Sequence, residues 1–173
     1  VLKTNPNHQV TLINLGLVLN QEKRYPEAVE VLNLAVGTNS GSQKAKALAA
    51  KGDALMAMQD YVGAQAAFEQ SILYRPQHAS TFRKLAETKV ANHRDSADVL
   101  KTLSLAISLR SGYRLALIDR ALYLWKMGRF NDARKDIETL LTGTSVDNDA
   151  DWIALHFYIA TGRTRQTEQQ LGK

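Results

Sequence analysis

The 173 residues include no cysteine, which excludes disulfides and thiolate metal sites and leaves the compartment open between a cytosol and a bacterial periplasm. No apolar run approaches the roughly 20 residues needed to cross a bilayer, so no membrane span is expected. The opening Val1-Leu2-Lys3-Thr4-Asn5-Pro6 lacks the charged, apolar and small-residue regions of a signal peptide, and a first residue of Val reads as a processed or trimmed start. Also missing are a glycine-rich phosphate loop, a nucleophile elbow and a paired-histidine zinc motif. The four histidines, His8, His78, His93 and His156, show no ligand spacing. The expectation is therefore no catalytic residues, no metal and no cofactor.

Charge of one sign is in modest excess. The formal net charge is +5, and the surplus lies between residues 79 and 141, where 12 Lys and Arg face 7 Asp and Glu. Spread along helices, such an excess describes a solvated face rather than a nucleic-acid footprint.

What the chain does have is a repeat. Leu12-x2-Leu15-Gly16-x2-Leu19 precedes Ala28-x3-Leu32 and Ala35, and 36 residues further on Leu48-x2-Lys51-Gly52-x2-Leu55 precedes Ala64-x3-Phe68 and Ser71. A third copy runs Phe82-x2-Leu85-Ala86, then Val99-x3-Leu103 and Ala106; a fourth runs Leu117-x2-Arg120-Ala121-x2-Leu124, then Ala133-x3-Ile137 and Leu140. The small-residue pair is 12 apart in copies one, two and four and 13 apart in copy three. Copy three therefore carries one extra residue, around Asn92 to Ser96. Antiparallel helices cross closely only where small side chains meet, with large neighbours filling the holes one turn away. That accounts for Gly16/Ala28, Gly52/Ala64 and Ala121/Ala133. Tight turns are expected at Lys23-Arg24-Tyr25-Pro26, Gln59-Asp60-Tyr61 and Gly128-Arg129-Phe130.

This spacing resembles the tetratricopeptide repeat family, whose signature places large residue, Leu-Gly, Tyr, Ala, Phe and Pro over about 34 residues. Departures are Lys51 and Arg120 at the usual Leu position, Lys89 at the usual Tyr position, and a terminal proline only in copy two, at Pro76. The resemblance implies an all-α fold, an α-solenoid of stacked antiparallel helix hairpins forming a right-handed superhelix. Repeats are expected at about 9–42, 45–78, 79–113 and 114–147, with a partial one at 148–173, in a single array over 1–173. Helices are expected at about 9–22, 25–37, 43–58, 61–74, 79–92, 96–109, 113–127, 130–142, 149–161 and 164–171. Neither end reads as a polar cap of the kind solenoids need, so the chain is expected to be a fragment of a longer array.

In this family the first helix of each hairpin lines a concave surface that binds partners. Carried onto this sequence, the lining would include Ile13 and Leu17, Lys46 and Asp53, Arg83 and Glu87, Ile118, Leu122 and Trp125, and Trp152 and His156. The middle of that groove would be charged, its cations and anions either orienting a polar peptide or pairing with one another. Its C-terminal part, around Trp125 and Trp152, would be either an apolar anchor for a partner or packing between repeats. The clamp that one subgroup uses to grip a C-terminal carboxylate is not expected, because Ile13 and Leu17 occupy its first pair of positions and Ser80 and Lys84 the other. Asp147-Asn148-Asp149-Ala150-Asp151 opens like a calcium loop, but Trp152 replaces the required glycine and Tyr158 the bidentate glutamate. A helix start is the better reading.

The expected function is a protein-interaction scaffold that binds a peptide or helical segment. The alternative is a non-catalytic scaffold of a bacterial envelope assembly or exopolysaccharide export machine, with Trp125 and Trp152 as sugar-stacking platforms. A protein or peptide is thus the first candidate partner and a polysaccharide the second; nucleic acid is not expected.

Overall fold

The computed structural model describes residues 6–142, with side chains from 10 to 140. Among these residues eight helices follow one another: α1 (Pro6–Gln21), α2 (Tyr25–Thr38), α3 (Gly41–Ala57), α4 (Tyr61–Tyr74), α5 (Ala79–Ala91), α6 (Ser96–Leu109), α7 (Arg114–Lys126) and α8 (Phe130–Thr142). They pair as hairpins α1/α2, α3/α4, α5/α6 and α7/α8, in the places the repeat predicts. The first helix begins at Pro6 rather than at residue 9, with proline in the first turn, where its missing N–H costs nothing. The helices expected beyond residue 142 lie outside the described residues. Two compact units are present: α1 to α6 fall in one, which ends at Arg110, and α7 and α8 in the other, which starts at Ser111.

The first two hairpins close on the same lock. A β-carbon on Gly16 would stand 2.5 Å from Cγ of Leu32, and one on Gly52 would stand 2.6 Å from the ring of Phe68. The small residue of the first helix therefore receives the large residue one turn beyond the alanine of the second helix. Leu32 and Phe68 are completely buried, as are Ala28 and Ala64 beside them. The equivalent Leu103 and Ile137 are also buried, as are Ala86 and Ala121 on the first helices of their repeats. Successive hairpins of the first unit stack through the same residue types: Ala47, Ala50 and Ala54 of α3 join Leu32 and Ala35 of α2 in one cluster, and Leu85 of α5 joins Ala67 and Phe68 of α4 in the next.

The turns repeat as faithfully as the locks. Lys23, Gln59, His93 and Gly128 all have positive φ, at 61°, 64°, 51° and 74°. Each lies seven residues beyond its small residue. Around each, two backbone bonds close the helix end: Arg24, Asp60, Arg94 and Arg129 donate N–H to the carbonyls of Leu19, Leu55, Lys89 and Leu124, all at 2.9 Å. The left-handed residues donate to Asn20, Met56, Val90 and Trp125. This is the paired-bond helix stop that favours glycine, and three of four turns make it without one. The extra residue of the third copy falls after His93. Asp95 caps α6 by accepting from the Ala97 N–H at 3.1 Å, while Asn92 and Arg94 both donate to Oε1 of Gln65 at 3.2 Å, tying the longer turn to α4.

Two departures from the repeat resolve into ion pairs inside their hairpins. Lys89, at a core position, places Nζ 2.8 Å from Asp98 and 3.0 Å from the Thr102 hydroxyl of α6. Arg120 donates two bonds to Asp136, at 2.8 and 2.6 Å. The hydrogen bond to Asp136 raises the Arg120 pKa further above its ordinary value, so the guanidinium stays charged. A buried charge demands such a partner.

Two outcomes follow from these contacts. Gly52→Val should lower stability by about 2–3 kcal/mol through overpacking against Phe68, whereas Gly37→Ala, whose added carbon meets nothing within 4 Å, should raise it by up to about 1 kcal/mol; urea unfolding checks both, and a tolerated valine would contradict the lock. Gln59→Gly should raise the urea midpoint, by about 0.5–1 kcal/mol of stability, by relieving a left-handed side-chain residue, while Gln59→Ala should give no gain.

Candidate partner-binding groove

Within the first unit, α1, α3 and the start of α5 leave an open groove of about 330 Å³. Helical spacing explains its walls. From α1 come Val10, Ile13, Asn14 and Leu17, and from α3 come Lys46, Ala49, Ala50 and Asp53. Ile13 is buried at the base, while Val10 and Leu17 stand about two-fifths exposed. Alanines on the α3 side keep that wall low, so the space is left open between aliphatic surfaces.

Polar bonds hold the helices around this space. Asn20 donates its amide to the Ala50 carbonyl at 2.9 Å, joining α1 to α3. The Ser71 hydroxyl of α4 donates to the Ala45 carbonyl at 2.8 Å. Lys84 of α5 reaches both carboxylate oxygens of Asp53, at 2.6 and 2.5 Å, joining α3 to α5. The remaining edge comes from the connection between α4 and α5, which contributes Arg75 and His78. His78 Nδ1 lies 3.0 Å from the hydroxyls of Thr81 and Ser80. Its pKa is lowered below the usual histidine value, chiefly by burial and then by the charges of Arg75 and Lys84, so the ring is neutral at pH 7.

Of the residues expected to line a groove, Ile13, Leu17, Lys46 and Asp53 come together here. Arg83 and Glu87 sit on α5 outside the lining and form an ion pair with each other at 3.6 Å. On α7, in the second unit, Ile118 is half-buried and Leu122 exposed. Trp125 is partly buried and meets Phe130 of its own hairpin edge to face, with ring centres 4.5 Å apart and planes at 65°. Trp152 and His156 lie outside the described residues, as do the calcium-like segment and the fifth repeat. Counting along first helices alone misses Arg75, His78 and the role of Lys84. The first two flank Pro76, and that helix-ending proline was the available signal that the connection turns there.

Among the described residues no cluster of three or more His, Cys, Asp or Glu could hold a metal, and no helix is long and apolar enough to cross a membrane.

Residues 45–78 match the tetratricopeptide repeat family. No curated protein sequence matches the chain. Solved structures do. MamA is 23% identical, with 81% of this chain and 80% of that one covered at a TM-score of 0.71. YrrB, a tetratricopeptide repeat protein with an unusual peptide-binding site, is 18% identical over 93% of this chain and 81% of its own, TM-score 0.69. The first such domain of Spaghetti (RPAP3), bound to the HSP90 peptide SRMEEVD, is 20% identical over 70% of this chain and 98% of its own, TM-score 0.62. At these identities the likeness establishes the fold. The segment 45–78 is thus a tetratricopeptide repeat, set among hairpins that have the fold of tetratricopeptide repeat proteins.

Proposed function

We propose that the chain is a protein-interaction scaffold whose groove between α1, α3 and α5 takes a peptide or helical segment of a partner. The observation that carries this reading is an aliphatic groove kept open between first helices that are already tied together by Asn20 with Ala50 and by Asp53 with Lys84. Preformed walls spare the ordering cost that weakens flexible sites. Covering Val10 and Leu17 with one aliphatic side chain of a partner contributes about 1.5–3 kcal/mol. Two proteins of the same fold carry peptides or peptide sites, which supports a segment of polypeptide as the occupant.

The envelope-machine reading rests on Trp125 and Trp152 as sugar platforms. Trp125 instead packs against Phe130 of its own hairpin, and among the described residues no Trp, Tyr or Phe lines the groove. A protein segment is therefore the reading preferred over a polysaccharide.

Panning a display library of 12-residue peptides (about 18 Å in helical form) against the immobilised chain should recover binders. Their affinity should fall at least about tenfold, or 1.4 kcal/mol, on Leu17→Glu and stay unchanged on Leu73→Glu, which alters an outward position that is 80% exposed. Binders indifferent to Leu17→Glu would place the interaction elsewhere.

A further inference from the structure

We infer that the segment taken by this groove is acidic, carrying Asp or Glu beside an aliphatic anchor, with Lys46 and Arg75 as the cations that meet it. The inference rests on the groove being the interaction site. It adds the chemistry of the occupant.

Among the described residues, four charged ones line the groove: Lys46, Asp53, Arg75 and Lys84. Asp53 and Lys84 cancel, since both carboxylate oxygens of Asp53 accept from the Lys84 ammonium. That pair has a structural task, bridging α3 to α5, and it leaves no carboxylate to receive a basic peptide. Lys46 and Arg75 are exposed and form no ion pair among the described residues. The groove is therefore cationic by two charges at neutral pH, with His78 neutral. Exposed cations are screened by salt over about 8–10 Å, so their effect is greatest on a carboxylate held against them by an apolar contact. Val10, Leu17 and Ala49 supply that contact.

The same lining argues against the other common polyanion. Single-stranded nucleic acid is held by a basic track together with aromatic rings on which bases stack. This groove has aliphatic side chains and no ring other than His78. Aliphatic walls with two cations at the edge suit a polypeptide that offers Leu, Ile or Val next to Asp or Glu.

The peptides recovered from the 12-residue display library, a length with about 18 Å of helix, are the probes. Their sequences should be enriched in Asp and Glu next to an aliphatic residue. Changing those acids to the matching amides should weaken binding to the full chain at least about tenfold, or 1.4 kcal/mol. On the Lys46→Gln, Arg75→Gln double variant the same change should matter less than about twofold, a coupling that a general loss of folding would not produce; both positions are exposed, and circular dichroism would verify the fold. Raising salt should weaken the acidic peptides on the natural chain and not on the variant. A pool of neutral or basic binders, or an amide effect of equal size on both proteins, would overturn the acidic assignment while leaving the groove in place. Competition by oligo(dT) for the same two cations would overturn it in favour of phosphate. A selection with no binders would remove the groove reading and this inference together.

Discussion

The contact on which the structure depends is the seating of Phe68 against Gly52, with Leu32 against Gly16 as its counterpart one repeat earlier. Ring and backbone approach so closely that there is no room for a β-carbon. The helix spacing of the first two hairpins follows from that approach. It sets how near the second helix lies to the first, and hence which face of α3 remains free of α4. The free face carries Lys46, Ala49 and Asp53, so the lock on one side of the helix determines the groove on the other.

Where the repeat departs from its own pattern, the hairpin compensates internally. Lysine at residue 89 stands at the family's usual Tyr position, where the other copies of this chain have Leu19, Leu55 and Leu124, and would leave a buried ammonium unpaired, but Asp98 and Thr102 arrive from the second helix to meet it. Arg120 and Asp136 do the same in the fourth hairpin. Removing one member of such a pair leaves a buried charge behind, which is far more costly than replacing both. These pairs specify their own hairpin: a lysine at residue 89 suits only a second helix that brings an acid to residue 98. The left-handed turns show the reverse economy, because Lys23, Gln59 and His93 tolerate a strained conformation that glycine would adopt freely.

Most of the fold was legible because each repeat announces itself several times, in small residues, large residues and turn length. Even the extra residue of the third copy could be read from the spacing of Ala86 and Val99, and the structure puts it between His93 and α6. The lock partners were less legible. Sequence pairs Gly16 with Ala28, whereas the closest approach is to Leu32, since side chains lean along the helix and meet a turn away from the small residue. The groove was legible on α1 and α3 from helical periodicity. Arg75 and His78 were not, because a connection has no period to count and its path depends on where α4 stops. The pairing of Asp53 with Lys84 likewise joins two repeats, and no spacing within one repeat reports it.

If the first helices of the N-terminal hairpins form the interaction surface, a bound peptide perturbs their shared free face. Nitrogen-15 chemical-shift mapping during titration with a display-selected peptide reads that perturbation residue by residue. The largest shifts should fall together on Leu17, Lys46, Ala49 and Lys84, around the groove. Shifts confined to the exposed outward positions Leu34, Leu73 and Leu105, or to α7, would contradict it.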